Sequence, residues 1–198
     1  LYATTTLALP RVRHKALFVP TAHDETPIRA RPFDDLFAMP RQLLCNTIEE
    51  LAFLKRRTGG HLAPAEVVGS GVDLPADATP DIFRRTFGLD GPYLLYVGRI
   101  QKEKGCDELF AHFLSLPDAT KRATPLVLIG KAAMPIPASP TIRSVGFVSD
   151  ELKASALKGA TLLILPSRFE SLSLAVLEAW ASGIPVLVNG QCDVLLAQ

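Results

Sequence analysis

Cysteine is scarce in this chain. Cys45, Cys106 and Cys192 are its only three, far apart and odd in number. They build neither a disulfide framework nor the close spacing of a metal knuckle, and a reducing cytosol is the simpler compartment. Long apolar runs are missing too. Charges such as Glu178 interrupt the longest of them, so no stretch reaches the roughly 20 residues of a membrane-spanning helix. Neither sign of charge dominates: 21 basic against 20 acidic residues give a formal net charge of +1. That removes the electrostatic footprint expected for nucleic acid or for an anionic membrane surface. The opening "LYATTTLALPRVRHK" lacks the basic start, apolar core and cleavage site of a signal peptide. The end, "NGQCDVLLAQ", stops inside what reads as a new helix, so a piece of a longer protein is expected.

What is present is apolar material for a core: 48% of 198 residues are hydrophobic, enough for one large domain or two small ones. "KALFVPTAHDE" (15–25) reads as a short buried strand running into a polar loop. A helical turn in "RPFDDLFAMP" and a strand over 42–45 follow. "TIEELAFLKRRTGG" (47–60) carries every mark of a helix. Thr47 can cap it and Glu50 can complete a capping box. Acids occupy its first turn and bases its last. Residues 67–90 are rich in Gly, Pro, Ala and Asp, with one short helical piece, and suit a linker. From Tyr93 onward strands and helices alternate: "YLLYVGR", "EKGCDELFAHFLSL", "TPLVLIG", "TIRSVGFV", "SDELKASALKGA", "TLLILP", "ESLSLAVLEAWASG", "IPVLVNG". The strands are continuous apolar runs, as in a parallel sheet covered on both faces.

Ligands of open parallel sheets bind outside the carboxyl ends of the strands. Those ends read Gly98-Arg99, Gly130-Lys131, Gly146-Phe147 and Pro166-Ser167-Arg168, small residues mixed with cations. Two carboxylates, Glu170 and Glu178, follow the last of these. With a helix starting near Ser171 they would stand about 12 Å apart along its axis. Ser171, Leu172 and Ser173 would offer unpaired amides to an anion, while the carboxylates would accept from hydroxyls. A sugar, a diphosphate and a second sugar satisfy all three demands, which implies a nucleotide sugar. Arg99 and Lys104 would meet the diphosphate charge; Lys102 reads as a solvated loop cation. Two alternatives stay open: Glu170 could serve only the helix dipole, and Glu178 could pair with an Arg or Lys elsewhere in the chain.

"VGRIQKEKG", "GFVSDELKASALKGATLLILPSRFESLSLAVLEAWASGIPVLV", "PTAHDE" and "GSGVD" together resemble the family 4 retaining glycosyltransferases of the GT-B fold, from about Ala16 to the C-terminus. Glu170 and Glu178 match that family's E-x7-E pair. The resemblance implies an α/β fold of two Rossmann-like parallel-sheet domains. Residues 1–66 would be the C-terminal part of the acceptor domain, 67–90 the connection and 91–198 an incomplete nucleotide-sugar-binding domain. The family's glycine-rich loop near the start of the acceptor domain has no counterpart in the sequence, and the fragment alone is expected to be inactive. Arg99 and Lys104 would hold the diphosphate beside Gly98, Glu170 would bind the donor sugar with the amides of Ser171, Leu172 and Ser173 nearby, and Glu178 would bind the ribose. Phe147 and Val148 lie where the base is contacted. His23 matches an acceptor-domain histidine that faces the donor, although a lone His after a strand is also common as a structural residue; Asp24 would shape its loop.

The implied reaction moves a sugar from a UDP-, GDP- or ADP-linked donor to a hydroxyl of a glycan, lipid-linked or small-molecule acceptor, with retention. No cofactor is expected beyond the donor itself. No metal is expected either, since no Asp-x-Asp occurs in the chain. The location implied is cytoplasmic, with peripheral membrane contact through a preceding region as one option. A retaining glycosidase needs carboxylates closer than about 12 Å. An epimerase or phosphorylase on the same scaffold, or a non-catalytic nucleotide-binding module, remain alternatives. A dinucleotide oxidoreductase is poorly supported, because "VGSGVD" lacks the third glycine.

Overall fold

A computed structural model describes residues 3–30 and 32–198. Leu1 and Tyr2 of the opening segment, and Arg31 at the start of the expected helical turn, lie outside the described residues. The chain divides into two compact units. The first holds residues 1–70, 169–172 and 193–198; the second holds 71–168 and 173–192.

In the first unit, helix α1 (Ala3–Val12) precedes strand β1 (Leu17–Phe18) and helix α2 (Pro32–Ala38). Strand β2 (Gln42–Cys45), helix α3 (Ile48–Arg57) and strand β3 (Ala65–Val67) follow, and helix α9 (Asp193–Ala197) packs against α3. The strands form a parallel sheet in the order β1-β2-β3, with Phe18 beside Leu43 and Leu43 beside Ala65. Phe37, Leu43, Cys45 and Leu54 are fully buried and join Ala22 and Ile28 in the core. Thr47 caps α3 as expected, its hydroxyl accepting from the amide of Glu50 at 3.1 Å. The second half of the expected capping box is built differently. The Glu50 carboxylate accepts from the amides of Asn46 and Ala22, because burial leads it across to a neighbouring loop.

The second unit begins inside the stretch expected to be a linker. Helix α4 (Pro80–Phe87) buries Phe83 against Tyr93 and packs along helix α7 (Asp150–Gly159). Four hydrogen bonds stitch that seam: Phe83 N to Ser155 Oγ at 2.8 Å, Ser155 Oγ in turn to the Thr79 carbonyl, Lys158 Nζ to the Ala78 carbonyl at 2.8 Å, and Arg84 to the Gly159 carbonyl at 3.0 Å. Glycine- and proline-rich composition thus coexists with a packed helix, since only one face of α4 needs to be apolar.

Strands β4 (Leu94–Val97), β5 (Leu126–Ile129), β6 (Ile142–Gly146), β7 (Leu162–Leu165) and β8 (Val186–Val188) form a parallel sheet in the order β6-β5-β4-β7-β8. Helices α5 (Cys106–Ser115), α6 (Asp118–Ala123), α7 and α8 (Leu174–Ala181) make the connections. The chain runs outward from β4 to β6, then returns to the far side of β4 with β7. That reversal is a topological switch point, where the strand ends splay and leave room for a ligand. Among the described residues no helix is long and apolar enough to cross a membrane.

Candidate functional site

The carboxyl ends of the central strands pack closely in the second unit, and glycine makes this feasible. A Cβ on Gly105 would stand 2.5 Å from the Pro166 carbonyl oxygen, and one on Gly130 only 2.0 Å from that of Gly98. Both residues also have positive φ, +73° and +137°. The glycines at the strand ends therefore serve backbone contact first. Beside them, Tyr96 donates to the Arg99 carbonyl at 2.7 Å and fixes the exit from β4. Arg99 is exposed, and Lys104 lies half-buried at the end of the 3-10 turn Lys102–Lys104 that enters α5. Arg168 is engaged in an ion pair with Glu108. Ser167 is fully buried, and its hydroxyl has no hydrogen-bond partner among the described residues.

Glu178 sits in the second turn of α8 with its side chain only 13% exposed. Its Oε1 accepts from Lys153 Nζ at 2.8 Å, and the same ammonium lies 3.3 Å from Asp150 Oδ1. The partner for Glu178 that the sequence left open is thus Lys153, in the first turn of α7. Burial pulls the Lys153 pKa down, but the hydrogen bonds and charges of Glu178 and Asp150 outweigh it and leave the pKa raised. Asp73, Leu74, Pro75, Asp150, Lys153 and Glu178 line a cavity of about 380 Å³, within the range of small-molecule sites. Phe147, before the Ser149 cap of α7, is 88% exposed, while Val148 packs against the core.

Helix α8 starts later than expected. Ser173 is its N-cap, with the hydroxyl accepting from Val176 N at 3.4 Å, and Leu174 is its first residue. Ser171 and Leu172 therefore precede the helix, and so does Glu170. The expected amide row at 171–173 is not a helical N-terminus, and the 12 Å estimate for the two carboxylates no longer applies. Tertiary ties hold the segment out: the Thr47 hydroxyl donates to the Ser171 carbonyl at 3.3 Å, within the first unit. Glu170 is half-buried in that segment.

His23, also in the first unit, stacks on Phe169 with ring centroids 6.4 Å apart and planes 22° apart. Its Nε2 lies 3.0 Å from Glu25 Oε1. Asp24 forms a two-point pair with Arg29 at 2.9 and 3.0 Å, which shapes the loop rather than engaging His23. The first unit thus brings His23 together with the segment that carries Glu170. The second brings Glu178, Lys153 and Asp150 together around one cavity and sets Gly98, Arg99 and Lys104 at the ends of its central strands.

A model of the glycosyl transferases group 1 matches residues 78–194. The chain belongs to this family. The D-inositol 3-phosphate glycosyltransferase of Xylanimonas cellulosilytica is 30% identical over 202 residues, covering 90% of this chain and 47% of the relative. Mannosylfructose-phosphate synthase of Agrobacterium fabrum is 28% identical over 130 residues, 58% of this chain and 29% of the relative. The chain spans 29% to 51% of the length of the first curated relatives it matches. Among solved structures, sucrose-phosphate synthase from Thermosynechococcus elongatus aligns with a TM-score of 0.67 at 21% identity, covering 91% of this chain and 48% of that one. Anabaena HepE in complex with UDP and glucose aligns at 0.68 with 15% identity, covering 89% and 54%. At these identities the likeness concerns the fold, which is the GT-B type expected from the sequence.

Within this group 1 glycosyltransferase chain, sequence reasoning missed Lys153, Asp150 and Asp73. The i, i+3 spacing of Asp150 and Lys153 on one helix face was a legible signal. Their link to Glu178, 25 residues beyond Lys153, was not.

Proposed function

We propose that this chain carries the donor site of a retaining, metal-independent glycosyltransferase that uses a nucleotide-diphosphate sugar. The observation that carries the proposal is the cavity at the carboxyl edge of the five-stranded sheet, with the shielded Glu178 carboxylate held by Lys153. A carboxylate fixed in this way keeps an oxygen for the ribose hydroxyls, which donate to it. Exposed Phe147 offers an aromatic face for the base, next to the helix that bears Lys153. Arg99 and Lys104 meet the charge of the diphosphate, where negative charge grows as the leaving group departs. Glu170 accepts from hydroxyls of the donor sugar, and His23 takes part in the transfer to the acceptor.

In the reaction the bond between the anomeric carbon and the diphosphate oxygen breaks. The acceptor oxygen bonds to that carbon on the same face, and its proton passes to the departing phosphate. The enzyme contributes position and charge stabilisation rather than a covalent partner. UDP is the first nucleotide to test, because solved structures of the same fold are described in complex with it. The test is calorimetric titration of the chain with UDP, GDP and ADP, and with their sugars, repeated with Glu178→Ala. Selective binding of one nucleotide that weakens at least tenfold in the variant supports the reading. Equal affinity in both proteins would remove Glu178 from the donor site.

A further inference from the structure

Glu50 is the one fully buried carboxylate among the described residues, 1% exposed. At the third position of α3 a glutamate ordinarily turns back to the amide of its own cap residue. Here Oε1 accepts from the Ala22 amide at 2.5 Å and Oε2 from the Asn46 amide at 2.6 Å. Ala22 immediately precedes His23. Thr21, before it, has φ of +46°, the only positive φ of a non-glycine residue among those described. That conformation is disfavoured for a β-branched side chain and persists only where the surroundings hold it. The amide that directly follows Thr21, that of Ala22, is the one that donates to Glu50.

The rest of the turn is secured from the other side by the Asp24–Arg29 pair and by Glu25 on His23 Nε2. The Nδ1 atom of His23 is buried and has no hydrogen-bond partner among the described residues. A cavity of about 60 Å³ is lined by His23 and its neighbours Ala22 and Glu25, large enough for a water or a hydroxyl. One imidazole nitrogen is thus engaged by Glu25, and the other is enclosed without a hydrogen-bond partner among the described residues.

We infer that Glu50 is a positioning residue for His23: its two oxygens bind the Ala22 and Asn46 amides at once and set the turn that presents the imidazole. This rests on the reading that gives His23 a part in the transfer. A glutamine has the same shape but one oxygen and one amino group, so it cannot accept from both amides in this arrangement. Glu50 would therefore influence turnover without touching substrate.

The experiment compares Glu50→Gln with the unsubstituted protein, using the Ala22 and Asn46 amide and His23 ring resonances and nucleotide affinity in this chain, and turnover of the nucleotide sugar in the full-length protein that contains it. The expected result is displaced Ala22 and His23 resonances, nucleotide affinity within twofold, and turnover reduced about tenfold. Adding His23→Ala to Glu50→Gln should then cause no loss beyond that of His23→Ala alone. Unmoved Ala22 and His23 resonances would overturn the inference, as would a Glu50→Gln loss that persists in full on the His23→Ala background. If His23→Ala alone leaves turnover intact while Glu50→Gln still displaces the turn, the positioning claim stands and the role given to His23 fails. Glu50→Asp, which withdraws both oxygens by one methylene, replaces the glutamine variant should that one fail to fold.

Discussion

Two shielded acids sit one in each unit, and the chain stabilises them by different means. Glu178 has a cation: Lys153 donates to it at 2.8 Å while also meeting Asp150, at the wall of an open cavity. Glu50 has no such cation in contact among the described residues; two backbone amides share its oxygens inside a packed core. A carboxylate held by a flexible lysine can re-partner when hydroxyls arrive, because the ammonium has three donors and a second acid within reach. One held by amides is fixed with the backbone itself. The first arrangement suits a ligand-binding group and the second suits a scaffold.

The largest effect should come from removing the amide-held acid. Glu50→Ala leaves two amides without their acceptor, and the desolvation cost of unsatisfied buried donors amounts to about 2–4 kcal/mol of lost stability, readable in a urea melt. A change under about 0.5 kcal/mol would mean that water replaces the carboxylate, and the two acids would no longer differ.

Removing the lysine should matter less. Lys153→Met breaks a pair whose side chains are only 24% and 13% exposed; the open cavity lets water reach the carboxylate left behind, which keeps the stability loss to about 1–2 kcal/mol. Nucleotide affinity is the sharper readout, since an unrestrained Glu178 must be ordered by the ligand. A melt and a titration on the same variant separate the two effects.

The smallest effect is on pH dependence. Burial raises the Glu50 pKa above its ordinary 4.5, and the hydrogen bonds from Asn46 and Ala22 offset part of that rise. A folded pKa above the unfolded one means the folded state binds more protons between the two. Stability from this group is then fully present below about 4.5 and declines as pH rises through the folded value. Lys153 has the same sign, but its window opens at the ordinary lysine value of 10.5. Stability measured from about pH 4 to 7 should therefore flatten in Glu50→Gln and keep its slope in Lys153→Met.

Much of the fold is legible in the chain. The strand over 42–45 and the Thr47 cap of α3 appear where composition and spacing put them. The strands after Tyr93 are parallel, and the run "LVLI" is buried at every position, while the outer strands β6 and β8 are partly exposed. Helix α1 leaves little trace in the sequence, since threonines and an internal proline weaken its local signal. The start of α8 is ambiguous along the chain because Glu170, Ser171 and Ser173 could each begin it; the contact of Ser171 with Thr47 selects the last. Glu178 can be picked out from its neighbours, and its partner cannot.

Local signals are enough to assign the strands and helices of an α/β fold and the residue types at the strand ends. Those follow from apolar runs, caps and turns, interactions reaching only a few residues along the chain. The order β6-β5-β4-β7-β8, the pairing of Lys153 with Glu178 and the grip of Glu50 on Ala22 exist only once the elements have packed. The two side-chain contacts join groups 25 and 28 residues apart. No local pattern encodes such a pairing, because a buried acid takes whichever donor the folded chain brings within hydrogen-bonding distance.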